Sequence, residues 1–167
     1  MVKRLLKSVR EYKRDSFLAP FFVALEVILE VVIPLLMAQL IDDGIYSGEM
    51  NMVYKIGLEL IICAALSLFF GMLSGMFAAK ASAGFAKNLR EDLYFKVQDF
   101  SFANIDKFST SSLVTRLTTD VTNVQNAYQM VIRIAVRAPL MLLISLGFAF
   151  SINSQLALVF LLLIPIL

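Results

Sequence analysis

The stretch FLAPFFVALEVILEVVIPLLMAQL, residues 17–40, decides the fold class, because only Glu26, Glu30 and Gln39 interrupt its apolar run. The hydrocarbon core of a bilayer is about 30 Å thick and a helix rises about 1.5 Å per residue, so about 20 mostly apolar residues cross it. This run is long enough. It is also too long for the apolar core of a secretory signal peptide, which takes about 7–15 residues. A second run follows over residues 56–79, with Glu59 near its start, and a third over residues 131–152, with Arg133 and Arg137 near its start. A fourth opens at Gln155 and is still apolar at Leu167. Residues 155–167 reach only about 20 Å as helix, so the chain reads as a fragment whose fourth span is truncated.

Composition points the same way. Of 167 residues, 59% are hydrophobic and 17% charged, with a mean hydropathy of +0.80. Soluble domains run at about 45–50% apolar and about 25% charged, and disorder requires the opposite shift. The formal net charge of +2 gives no nucleic-acid footprint. The lone Cys63 excludes an intramolecular disulfide and a Cys-rich metal site. With no histidine, His-based catalysis and His-ligated metal are excluded, and no metal site is expected.

Basic residues orient the spans. Lys3, Arg4, Lys7, Arg10, Lys13 and Arg14 precede the first span, and Lys80, Lys87, Arg90, Lys96, Lys107 and Arg116 follow the second. The loop over residues 41–55 carries only Lys55 against Asp42, Asp43 and Glu49. The N-terminus and the long middle segment are therefore expected in the cytoplasm. Residues 1–16 read as an amphipathic helix, with Val2, Leu5, Leu6 and Val9 on one face and the basic residues on the rest. Such a helix is expected to lie in the membrane interface against anionic headgroups, with Ser16 capping the next helix and Pro20 in its first turn.

The middle segment is polar but has no proline and a single glycine, Gly84. Phe85, Leu89, Leu93, Val97 and Phe100 form one apolar stripe at helical spacing, and Leu113, Leu117, Val121, Val124 and Tyr128 form another. The pattern predicts that the second span continues as helix over residues 56–102, that the third occupies residues 113–152, and that the two extensions pack antiparallel. Between them, residues 103–112 form a tip rich in small hydroxyl residues. Ile105 and Phe108 there either dock a partner or close the helical pair.

These residues carry a resemblance. The prolyl first span with Pro34, the exit Leu40-Ile41-Asp42-Asp43-Gly44-Ile45, and above all the stretch Asn104-Ile105-Asp106-Lys107-Phe108-Ser109-Thr110-Ser111-Ser112-Leu113-Val114-Thr115-Arg116-Leu117-Thr118-Thr119-Asp120-Val121 resemble the transmembrane domain of type-1 ABC exporters of the multidrug and lipid kind. Many members have glycine where Ser111 stands. The resemblance implies an all-α membrane protein with long transmembrane helices extending into the cytoplasm. It further implies six spans and a cytoplasmic ATPase domain per subunit, two subunits or halves per transporter, and alternating access driven by ATP and Mg in the ATPase domain. It assigns Asn104, Ile105, Asp106, Lys107, Phe108, Ser109 and Thr110 to the coupling helix that docks on that domain. A Gly-x-x-x-x-Gly-Lys-Ser/Thr loop is absent from this sequence, and Gly44 and Gly48 are wrongly spaced for one. The fragment itself is therefore not expected to be an enzyme. The resemblance leans bacterial and places the chain in the cell membrane, with the lipid bilayer, an ABC ATPase domain and a second transporter half as partners.

Ionisable groups at membrane depth are costly and point to function. Glu26 and Glu30 share a face of the first span, and Arg133 and Arg137 share one of the third. They either line a pathway for cationic or amphipathic substrates or form buried ion pairs. Gly71 and Gly75 form a Gly-x-x-x-Gly step that permits close helix packing. Two other readings stand beside the exporter: a stand-alone truncated membrane protein with a structural or regulatory role, and a transport module of another family.

Overall fold

The computed structural model describes residues 5–99, 110–152, 154–155 and 157–158. The described residues form helix and turn, with no strand among them. A 3₁₀ segment, Leu6–Tyr12, leads into α1, Lys13–Gln39. A π-helical turn, Leu40–Ile45, and a short bend at Gly48 (φ +74°) lead into α2, Met50–Gln98. After the tip come α3, Thr110–Thr115, a π-helical stretch Arg116–Asp120, and α4, Val121–Ile152. Three helical stretches, Lys7–Ile45, Met50–Gln98 and Ser111–Ile152, are long and apolar enough to cross a membrane. Helix extends past the apolar runs wherever polar flanks still favour it. It starts at Met50 rather than 56 on the second span, and it continues through Pro34 and Pro139.

The N-terminal arm differs from expectation. It is not one continuous helix. Arg10 takes φ 39° and ψ −112°, which breaks the segment. Val9 is buried against Phe85, Leu89 and Val121 rather than turned to lipid. An apolar face is satisfied equally by lipid or by protein, and here the helical hairpin supplies the partner. Nor does Ser16 cap the next helix. Helix already runs from Lys13, and the Ser16 hydroxyl donates to the Tyr12 carbonyl one turn back, at 2.8 Å.

Contacts divide the chain into two compact units. One comprises Met1–Pro20 with Ser74–Ile134. Its core joins Val9, Phe85, Ala86, Leu89 and Val121, with Leu5, Tyr12, Leu93, Val124 and Tyr128 packed around it. The two apolar stripes of the sequence face each other there. The pairings Gln129 with Ser82, Tyr128 with Phe85, and Thr122 with Arg90 fall in number on α4 as they rise on α2, so the two helices of this hairpin run antiparallel. Phe85 and Tyr128 stack with centroids 4.6 Å apart.

The other unit comprises Phe21–Leu73 with Ala135–Leu167. Val23 and Val27 of α1 are fully buried in it, and Phe22 stacks on Phe70 of α2 at 6.1 Å. Its outer faces are apolar and open, with Ile61, Leu68 and Leu143 all more than 60% exposed. Backbone polar groups in helices are satisfied internally, so such faces are stable in hydrocarbon.

Candidate functional site

In the unit formed by residues 21–73 and 135–167, Glu26 and Glu30 stand one turn apart on α1 and Arg137 reaches them from α4. Arg137 Nη1 donates to Glu26 Oε1 at 3.0 Å and Nη2 to Glu30 Oε1 at 2.5 Å. The planar guanidinium offers its donors as a fork, so one arginine serves two carboxyl groups at the spacing of a helical turn. Glu26 is buried, at 8% exposure. Its second oxygen and that of Glu30, both buried, have no hydrogen-bond partner among the described residues.

Gly71 of α2 makes room for this group. A Cβ at Gly71 would lie 3.1 Å from Glu26 Oε1 and 3.2 Å from its carboxyl carbon. The glycine thus admits a carboxyl group, where the sequence suggested close backbone packing. Gly75 differs. A Cβ there would meet the Arg133 guanidinium at 3.8 Å, an ordinary contact. Arg133 forms no ion pair with an acidic residue among the described residues. It lines an open groove along α4 with Asn126, Gln129, Met130 and Ile134. Of the four charged residues singled out in the sequence, the structure therefore brings together Glu26, Glu30 and Arg137, while Arg133 belongs to the other unit.

Of the residues that the sequence assigned by resemblance to coupling, Asn104, Ile105, Asp106, Lys107, Phe108 and Ser109 lie outside the described residues, and Thr110 opens α3. Just before them on α2, and after them on α3 and the π-helical stretch, Leu93, Val97, Leu113 and Leu117 line a gap of about 100 Å³ with Lys96 and Arg116 at its rim.

In the unit of residues 1–20 and 74–134, the arm is fastened to the hairpin by contacts that sequence reasoning missed. Ser8 donates to Asp92 at 2.8 Å, and the buried Asn88 amide donates to the Ser8 carbonyl at 3.0 Å. Arg10 pairs with Glu91 at 3.3 Å and with Asp92. Asp15 meets Lys80 at 3.5 Å, and the Tyr128 hydroxyl donates to Ser16 at 2.8 Å. The signal was present in the sequence: Glu91-Asp92 is an acidic pair in an otherwise basic stretch, matched to a basic arm. No group of three or more metal-ligating side chains is placed to hold an ion among the described residues.

Comparison with known proteins agrees with this architecture. Residues 16–167 match the ABC transporter transmembrane region. The chain is 36% identical over 166 residues to an uncharacterized ABC transporter ATP-binding protein, YfiB, of Bacillus subtilis, covering 99% of this chain and 29% of that protein. It is 24% identical over 162 residues to an uncharacterized ABC transporter ATP-binding protein, MT1311, of Mycobacterium tuberculosis, covering 97% and 28%. It is 25% identical over 164 residues to an ATP-dependent lipid A-core flippase of Albidiferax ferrireducens, covering 98% and 28%. The chain thus spans less than a third of the length of these relatives. With a family match over nearly its whole length and an all-helical, multi-pass membrane architecture, the chain belongs to the ABC transporter transmembrane region family.

Proposed function

We propose that this chain forms the first spans of an ATP-driven exporter that moves amphipathic compounds, drugs or lipids, across a bacterial cell membrane by alternating access. The observation that supports this best is the antiparallel pairing of the stripes around Phe85, Leu89, Val121 and Tyr128. It gives a stiff hairpin, and paired helices transmit displacement better than loops do. In this reading the N-terminus and hairpin are cytoplasmic, and residues 104–110 dock on an ABC ATPase domain. That domain binds ATP and Mg, and a second half, identical or related, completes the transporter. The relatives named as ATP-binding proteins support an ATPase partner. Glu26, Glu30 and Arg137 brace α1 to α4 through the ion pair.

The test is the full-length protein in proteoliposomes, assayed side by side for ATP affinity, substrate-stimulated ATP hydrolysis and transport. Phe108→Ala removes an interface anchor, a loss of about 1–2 kcal/mol or more at such a contact. It is expected to lower stimulation and transport while leaving expression and ATP affinity unchanged. Normal stimulation and transport in this variant would remove Phe108 from the coupling contact, and absence of ATP-dependent transport in the unsubstituted protein would overturn the exporter reading.

A further inference from the structure

A groove of about 290 Å³ opens between the arm and α4, lined by Val9, Lys13, Ser16, Phe17 and Tyr128. Lys13, Ser16 and Phe17 are spaced at three and four positions within α1, so they share one face, and Val9, before the break at Arg10, joins them in the lining. The hydroxyls in the groove are already committed as donors: Tyr128 donates to Ser16, and Ser16 to the Tyr12 carbonyl. The donor left over is the Lys13 ammonium, which is exposed and forms no ion pair among the described residues. Lys7 and Arg14, close by in sequence, are likewise exposed and unpaired among the described residues. Arg10, by contrast, is neutralised by Glu91 and Asp92. The groove's unspent capacity is therefore cationic. Its remaining character is apolar, and Phe17, the first residue of the first apolar run, is 71% exposed.

A positive donor beside an exposed aromatic ring at the start of a membrane span fits one chemistry, an anionic head on an apolar tail. We propose that this groove is a binding site for an anionic phospholipid, with the headgroup phosphate at Lys13 and an acyl chain along Phe17. Basic residues immediately flanking a span attract anionic headgroups. The docking of Val9 onto the hairpin turns this general attraction into a shaped site, because it fixes Lys13 and Phe17 against Tyr128. A zwitterionic lipid brings its own cation to the phosphate and gains less.

The test uses the full-length transporter with Phe17 replaced by photoreactive benzoylphenylalanine, in vesicles of equal parts phosphatidylglycerol and phosphatidylcholine. After irradiation, lipid adducts at this position are counted by mass spectrometry. Phosphatidylglycerol adducts are expected to dominate, and Lys13→Gln is expected to lower their ratio about fivefold. That factor is ~1 kcal/mol at 1.4 kcal/mol per tenfold, the value of one basic residue near an anionic surface. Lys13→Arg should retain the ratio. Lys87→Gln, at an exposed lysine on α2 outside the groove lining, should leave it unchanged. Equal adducts of the two lipids, no response to Lys13→Gln, or an equal response to Lys87→Gln would each overturn the site. So would displacement of the lipid by inorganic phosphate at constant ionic strength, which would make it a free-phosphate site instead.

Discussion

The Tyr12 ring lies directly against Gly84 of α2, so closely that a Cβ on Gly84 would fall within the ring's own van der Waals volume. Two effects compete when this glycine is substituted. Ala gains about 1 kcal/mol over Gly as a helix former, whereas overpacking a filled contact costs about 1–3 kcal/mol. Gly84→Ala is therefore expected to lower the thermal stability of the full-length protein in detergent, and Tyr12→Ala in the same background to restore part of it. Gly75→Ala, whose Cβ would make an ordinary contact at 3.8 Å, should be neutral or stabilising. Equal effects at the two glycines in a thermal-shift measurement would contradict the packing described.

The membrane ion pair predicts an asymmetry between its members. Removing one partner of a buried pair leaves the other uncompensated, at a cost of about 3–5 kcal/mol. Arg137→Met strands two carboxyl groups and should destabilise the protein more than Arg133→Met, which strands none. For Glu26→Gln, transport of cationic and neutral compounds should fall together, along with stability, if the pair is a brace. Loss confined to cations, at normal stability, would make Glu26 a substrate contact.

Burial ranks the fastenings of the arm. The Arg10 pairs are about half exposed, and exposed ion pairs contribute about 0–1 kcal/mol. The left-handed backbone at Arg10 costs about 1–3 kcal/mol in a non-glycine residue. Arg10→Gly should thus change stability little, because the lost pairing and the relieved strain offset each other. Asn88→Ala removes the buried donor to the Ser8 carbonyl, at about 1–3 kcal/mol. Chemical or thermal denaturation of the two variants should separate them clearly.

Orientation is open to cysteine labelling in a Cys63→Ala background. Ser47 lies between the first two long helices and is exposed, and Ser111 lies in α3 and is also exposed. In intact cells a membrane-impermeant thiol reagent should label Ser47→Cys and spare Ser111→Cys. Lys7→Cys serves for the arm, since Ser8 is only 4% exposed and would resist labelling from either side. Labelling of Ser111→Cys from outside would invert the topology.

The apolar stripes were legible because a helical period of Phe85, Leu89, Leu93 and of Leu117, Val121, Val124 has no other economical reading than two faces in contact. The choice between Arg133 and Arg137 was not legible. They are the same residue type on the same face of one helix, and only the axial register of α4 against α1 selects Arg137. Gly71 was read as a site of close helix approach, because sequence spacing shows where bulk is missing but not what fills the space. The seat of Val9 was not legible for a related reason: an apolar residue reads the same whether its neighbour is lipid or Phe85. Glu91 and Asp92 held the missing information, in their charge rather than in any periodicity.

Val9 and Tyr12 settle on residues made long after them, and Tyr128 stands 112 positions beyond its partner Ser16. At about 5–20 residues per second of synthesis, the arm waits roughly 6–22 s for its full seat to emerge. The arm is thus translated well before its seat on the hairpin is complete. Closing so long a loop adds little extra entropy cost, because that cost grows only with the logarithm of length. During the delay Ser16 lacks the hydroxyl that Tyr128 later donates to it, and the arm is only partly seated. Once α4 arrives, the same residues become a late lock that distinguishes a finished hairpin from a half-made one.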